Sequence, residues 1–333
     1  MIRKIVPALA LLASFLAAPI GATAQAVPLK VGILKVGASG PLYIAEDRGY
    51  FVAENLAVQL VNFGAGQAVA VAVASGDIDI GVTGLTAGLY NLASGGQIRV
   101  IAGLHREVAG FHTLGYFVSK RAYDAGLTSL KDIGGHSMAI TTIGSTTHYA
   151  VALLAMKYGI PLASVRILPL QNNSNSAAAV TGGQADAAMV AGTMEAQVEQ
   201  GGAKLLGWVG DETPWQLGSV FVATKTDEER QDMLRHFLAA LTKGARDYHD
   251  AFTNALEKRA DGPTAPAVLA IMAKHLGVPA AELDTQIPYV DPQLGLDVKD
   301  MARQIDWYRS QGMVKGDITV DKLVDKRYGV PLH

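Results

Sequence analysis

The chain has 333 residues, with 28 Lys and Arg against 30 Asp and Glu, half of its residues hydrophobic, and no cysteine. The near balance of charge and the lack of a basic patch give nucleic acid no electrostatic footprint to meet. The missing thiols exclude disulfides, thiolate metal sites, a cysteine nucleophile and a lipid-modified cysteine, and a chain this long buries a substantial core and normally divides into two units.

Residues 1–4 are short and basic, residues 5–20 mostly apolar, and residues 21–26 small, the three-part pattern of a secretory signal peptide. Ala24 and Ala26 both close a small-x-small site, and cleavage is expected after Ala24. Removing residues 1–24 takes away Arg3 and Lys4, leaving 26 basic against 30 acidic residues, a net of −4 with histidine neutral. No later stretch is long and apolar enough to span a bilayer.

Residues 29–34 read as a strand, and the glycines of the following loop let the backbone approach a ligand at Ser39 and Gly40. Pro41 then suits the first turn of a helix that stops at Gly49. A strand over 57–63 leads through residues 64–67 into a small-residue helix. The glycines Gly64 and Gly66 invite a dinucleotide-binding reading, but Val69 stands where the third glycine belongs. The acidic residues Asp77 and Asp79 fall at the start of the next strand instead of its carboxyl end.

The segment 72–84 (AVASGDIDIGVTG) then gives a helix end, a tight turn and an uncharged strand, and residues 179–192 (AVTGGQADAAMVAG) repeat that order. Gly183 and Asp186 stand where Gly76 and Asp79 stood, with the closing glycine, Gly84 or Gly192, followed by a threonine, Thr86 or Thr193. An uncharged strand suits a parallel sheet covered on both faces. Two copies imply two similar α/β lobes, with ligand outside the carboxyl ends of the strands, where helix N-termini offer unpaired N–H groups.

His105 and Arg106 follow the strand at 98–104, placed to meet an anion, although Arg106 serves equally as a solvated loop charge. Residues 115–120 read as the first crossing between lobes. Past a strand at 137–141, Thr142, Ser145, Thr146, Thr147 and His148 crowd a helix start, where one hydroxyl can cap the backbone and the others can face a cleft. The helix dipole disfavours a charged His148, which points to neutral hydrogen bonding. Residues 211–218 start the return crossing, where Trp215 is a candidate cleft wall, with core packing as its competing role. A long helix over 228–256 presents one apolar face. Further helices follow over 263–276, 280–284 and 298–311, with Trp307 and Tyr308 as core residues packing on the first lobe.

Segments 44–51 (IAEDRGYF), 75–81 (SGDIDIG), 130–135 (LKDIGG) and 183–187 (GQADA), in that order, resemble the solute-binding proteins of ABC importers. They are similar above all to the nitrate, sulfonate and taurine binders (SsuA-like) and the thiamine-pyrimidine, NMT1/THI5-like binders. The resemblance implies an α/β type II periplasmic binding protein fold: two Rossmann-like lobes, a two-crossing hinge and C-terminal helices on the first lobe. Lobe 1 is expected over 25–116 and 217–333, and lobe 2 over 117–216. It further implies a periplasmic monomer that closes around one small solute, uses no cofactor, performs no chemistry, and docks to a membrane permease and its ATPase.

A small organic anion such as a sulfonate, carboxylate or aromatic acid fits the helix N-termini and hydroxyls. A neutral heterocycle such as a thiamine pyrimidine precursor remains the alternative, with Tyr43, Tyr90 and Trp215 able to flank a flat ring. A metal site is not expected, because the eight histidines lack ligand spacing. The rival class, an exported hydrolase, has neither a Gly-x-Ser-x-Gly elbow nor a His-Glu-x-x-His helix, leaving only a dispersed Ser/His/Asp set to support it.

Overall fold

The computed structural model describes residues 25–283 and 287–333, together with Ile2. The leader expected over 1–24 and its cleavage site at Ala24 therefore lie outside the described residues, apart from Ile2.

The strands in chain order are β1 (Val27–Leu34), β2 (Leu56–Phe63), β3 (Ile80–Gly84), β4 (Ile98–Gly103), β5 (His105–Glu107), β6 (Leu114–Val118) and β7 (Ser137–Ile140). They continue as β8 (Arg166–Pro169), β9 (Ala187–Ala191), β10 (Lys204–Trp208), β11 (Trp215–Gln216), β12 (Gly218–Ala223) and β13 (Tyr289–Val290). Helices of eight residues or more are α1 (Gly40–Asp47), α2 (Gly66–Ser75), α3 (Ala87–Ser94) and α4 (Thr146–Tyr158). After these come α5 (Asn173–Thr181), α6 (Gln231–Phe252), α7 (Ala265–Leu276) and α8 (Val298–Ser310).

Two five-stranded mixed sheets form, ordered β2-β1-β3-β12-β4 and β10-β6-β9-β7-β8. A three-stranded ribbon, β11-β5-β13, joins them. Each sheet has helices on both faces, which is why its central strands are uncharged. In the first lobe, α1, α6 and α7 cover one face through residues such as Leu42, Phe237, Leu241 and Met272, all fully buried. Burying each such side chain contributes roughly 1.5–3 kcal/mol. The other face carries α2 and α3, and in the second lobe α4 and α5 take the two faces.

The duplicated motif has one structural meaning in both lobes. Gly76 (φ +83°) and Gly183 (φ +72°) adopt the left-handed conformation that ends a helix. The aspartate three residues later then ties strands together. Asp79 accepts the Lys30 N–H of β1 at 2.8 Å and Arg230 at 2.7 Å. Asp186 accepts the Ser137 N–H of β7 at 2.8 Å and Arg121 at 2.5 Å. Backbone and guanidinium donors favour the ionised form, and the Asp186 carboxyl is held below its usual range against the opposing effect of burial.

Several elements differ from the sequence-based expectation. Residues 115–120 do not cross between lobes: β6 lies inside the second sheet between β10 and β9, and the boundary expected at 116/117 cuts through it. The crossings are the paired strands β5 and β11, with Trp215 opposite Glu107. The long C-terminal helix is interrupted at Arg230 (φ −129°, ψ 35°), whose side chain turns back to Asp79. Trp307 and Tyr308 do more than pack the first lobe. Trp307 lies against His148 and Tyr149 of α4, and the Tyr308 hydroxyl donates to the Ser145 carbonyl at 3.0 Å. One apolar cluster therefore runs unbroken from Tyr90 through Tyr308 to Tyr149, and holds the lobes together.

Candidate functional site

Between the lobes lies a cavity enclosing roughly 880 Å³ of empty space, counting the part open to solvent. Its walls come from the carboxyl ends of strands in both sheets and from the hinge. Five helices start at its rim: α1 after β1, α2 after β2, α3 after β3, α4 after β7 and α5 after β8. This convergence follows from the topology, because in parallel sheets every strand-to-helix connection emerges at the same edge.

Ser39, Gly84, Thr86, His105, Thr142, Ser145, Thr146, Thr147, Gly192 and Thr193 all line it. Thr86 Oγ1 accepts the Leu89 N–H at 3.1 Å and Ser145 Oγ accepts the His148 N–H at 3.2 Å, so both cap their helices. Capping uses an oxygen lone pair. Ser145 Oγ also lies 2.9 Å from Thr147 Oγ1, which accepts the Thr141 N–H at 3.1 Å. Helices α1 and α2 begin without any side-chain cap, at Ser39 and Ala65. Ser39 instead donates its proton to the Leu34 carbonyl at 2.7 Å.

Four of the residues singled out from sequence do not reach the cavity. Gly40 faces the first-lobe core, where an added Cβ would meet the Tyr248 ring at 2.7 Å. Arg106 points away from the cleft, its guanidinium 5.0 Å above the Tyr289 ring and 3.7 Å from Asp291. The alternation of side chains along β5 accounts for this, since His105 and Arg106 must take opposite faces. His148 accepts the Gly144 N–H on Nδ1 at 3.1 Å and packs against Trp307, and burial lowers its pKa. Trp215 is buried edge-on to Tyr149 at 5.2 Å. The two tyrosines proposed to flank a ring are also elsewhere: Tyr43 stacks on His275 and Tyr90 donates to Gln304 at 3.0 Å.

Sequence reading missed Gln67, Thr83, Thr113 and Thr141 as lining residues, while Asn173 lies in the 171–176 turn whose amides could reach the cleft. Gln67 is in the first turn of α2, a position that the strand-turn-helix pattern exposes to the cleft. Its Oε1 accepts the Thr142 hydroxyl of the other lobe at 3.3 Å.

Among the described residues no Asp, Glu, Lys or Arg lines the cavity. Its one titratable group is His105, 7% exposed, whose pKa burial pushes down to about 4, so the ring is neutral at neutral pH. Behind the wall, Glu107 is buried in β5, where desolvation raises its pKa well above the usual carboxyl range and so favours the neutral form. The wall is therefore uncharged in its side chains, and the only positive potential comes from the helix ends. No group of three or more His, Asp or Glu that could hold a metal occurs among the described residues, and no helix among them is long and apolar enough to cross a membrane.

The model of the family described as NMT1/THI5 like matches residues 38–253. No curated protein sequence matches the chain. The alkanesulfonate-binding protein SsuA from Xanthomonas axonopodis pv. citri, bound to MOPS, superposes with a TM-score of 0.72 at 19% identity, over 91% of this chain and 99% of that one. The periplasmic nitrate-binding protein NrtA from Synechocystis PCC 6803 gives 0.71 at 12% identity, over 92% and 88%. A cysteine-to-serine mutant of the enzyme DszB, in complex with biphenyl-2-sulfinic acid, gives 0.56 at 14% identity, over 91% and 97%. These likenesses show the α/β type II periplasmic binding protein fold. With its model spanning well over half of the sequence, the chain belongs to the NMT1/THI5-like family.

Proposed function

We propose that this protein is the solute-binding component of an ABC importer, exported to the periplasm and active as a monomer. In this reading it closes its two lobes on a small organic anion, a sulfonate or carboxylate, and hands it to a membrane permease driven by an ATPase. The observation that carries the reading is the meeting of five helix N-termini on one cavity whose walls hold no charged side chain. Each such terminus favours a nearby anion by about 0.3–1 kcal/mol, more when partly buried, and hydroxyls donate to its oxygens. Contacts from both lobes give the anion a differential affinity for the closed form, which is the requirement for shifting the population toward it. SsuA, an alkanesulfonate-binding protein, supports the same class, and NrtA, a nitrate-binding protein, supports an anion more broadly.

A neutral heterocycle is the second reading, and the uncharged wall favours it, since nothing there requires a counter-ion. An aromatic acid is less well served: among the described lining residues the one aromatic ring is the His105 imidazole. The hydrolase reading loses ground because neither His105 nor His148 is hydrogen-bonded through its ring to a hydroxyl among the described residues. DszB carries its chemistry on a similar fold, but this chain has no cysteine to stand where that mutant had one replaced.

Calorimetric titration with sulfonates, carboxylates and pyrimidines, alongside small-angle scattering, tests the proposal. Saturable binding of an anion with compaction supports it; binding of pyrimidines alone selects the second reading, and turnover of ester substrates overturns both.

A further inference from the structure

The cavity is polar in two different ways at its two ends. Along the first sheet, order β2-β1-β3-β12-β4, the strands β2, β1 and β3 each feed a helix start, whereas β12 and β4 feed none at the cavity. In the second sheet β8, β7 and β9 feed α5, α4 and a short helix at Gly192–Met194, and the start of β6 brings Thr113 instead. Cross-lobe contacts put the helix-rich halves opposite each other, with Gln67 against Thr142 and Gly64 within 3.5 Å of Asn172 for an added Cβ. The other half is the hinge.

At the hinge end stands His105. Its ring lies over Gly218, where an added Cβ would come within 2.1 Å, so only glycine leaves room for it. Nδ1 is buried with no hydrogen-bond partner, as is the hydroxyl of the neighbouring Thr113. Both residues line the cavity. An imidazole 93% buried with an unpaired nitrogen costs free energy unless something meets it. Leu114, Ala191 and Leu217 add apolar surface to the wall. Strands β1 and β4 lie three spacings apart, roughly 14 Å.

We infer that His105 and Thr113 form a second, neutral polar subsite, so that the solute is elongated: an anionic head at the helix starts, an apolar body, and an uncharged hydrogen-bonding group at the far end. This rests on the anion reading above and adds the far-end group to it. A second charge at that end is disfavoured, because the neutral imidazole offers no compensation and the buried Glu107 lies behind it on the same strand.

The test is a calorimetric comparison of hexanesulfonate with its ω-hydroxy derivative, and of hexanol with hexanediol, in the full-length mature protein, His105→Leu and Thr113→Val. The expected result is that the ω-hydroxyl tightens sulfonate binding by about fivefold to tenfold in the parent, and that this gain, taken as the ratio of the two affinities within each protein, falls toward unity in each variant. If both sulfonates bind the parent equally, or if the gain survives in both variants, the far-end subsite is overturned and the anion reading stands. If neither sulfonate binds while an alcohol does, the anion reading fails and the subsite assignment falls with it. Thr113→Val changes only a hydroxyl, so the comparison holds even should His105→Leu fail to fold.

Discussion

The amide of Ala87 donates to the carbonyl of Gly144 at 2.9 Å, joining the first turn of α3 in one lobe to the loop before α4 in the other. A helix start leaves its first N–H groups without partners in the helix. Here the opposite lobe supplies one, so a single bond both satisfies the helix start and ties the lobes together.

Gln67 extends this seam. Its side chain lies over Gly88 of α3, where an added Cβ would meet it at 3.0–3.1 Å, and reaches Thr142 across the cleft. Removing it takes away one neutral hydrogen bond made only in the closed form. Gln67→Ala should therefore speed solute release by about threefold to tenfold, with little change in the association rate. Stopped-flow displacement measures both. An unchanged release rate would show that Gln67 does not latch the cleft.

A steric pair offers a sharper control. Gly84 and Thr146 face each other across the cavity, and a Cβ on residue 84 would stand 2.4 Å from Thr146 Cγ2. Nothing else approaches that position closer than 3.5 Å. Gly84→Ala should fold normally yet resist closure, weakening solute binding tenfold or more, on the order of 1.4 kcal/mol. Thr146→Ser deletes the opposing methyl and should restore most of the affinity in the double variant. Equal weakening in the single and double variants would mean that the two residues do not meet in the bound state.

Much of this architecture was legible in the sequence because it rests on local chemistry. Gly76 and Gly183 end helices, and Asp79 and Asp186 repeat at the same spacing, so the doubling of the lobes could be read from two short segments. Hydroxyls at helix starts likewise announced Thr86 and Ser145. What could not be read was side-chain direction at the hinge. Arg106 and Trp215 sit at the right places along the chain but turn into the protein, since the pairing of β5 with β11 and β13 decides which face each residue takes. Gln67 was hidden for a similar reason: its partner, Thr142, is 75 residues away.

Tryptophan fluorescence can report closure from Trp307 rather than from Trp215, the candidate cleft wall. Trp307 on α8 has ring centroids 5.4 Å from His148 and 5.3 Å from Tyr149, both in the second lobe. Trp215 lies on a hinge strand, where rotation displaces atoms least. The solute-dependent emission change should vanish in Trp307→Phe and persist in Trp215→Phe. The reverse pattern would place the moving seam at the hinge strand instead.

Two neighbouring residues of β5 impose opposite pH dependences on stability. His105 has a folded-state pKa lowered by burial to about 4, against about 6.5 when unfolded. The unfolded chain therefore binds the proton first. The stability that goes with the neutral ring is complete above pH 6.5 and is lost as pH falls toward 4, on the order of 3 kcal/mol. Glu107 has a raised pKa, chiefly through desolvation, with Asp211 adding to the rise. In this case the unfolded chain releases its proton first, so stability is complete below the unfolded carboxyl value of about 4.3 and declines as pH rises toward the folded pKa. Glu107→Gln keeps the neutral shape and removes the titration. Its melting temperature should match the parent near pH 4 and exceed it by a margin that grows as pH rises above the unfolded carboxyl value. Scanning fluorimetry across that range measures the gap, and a gap that stays constant with pH would mean that Glu107 is ionised in the folded protein.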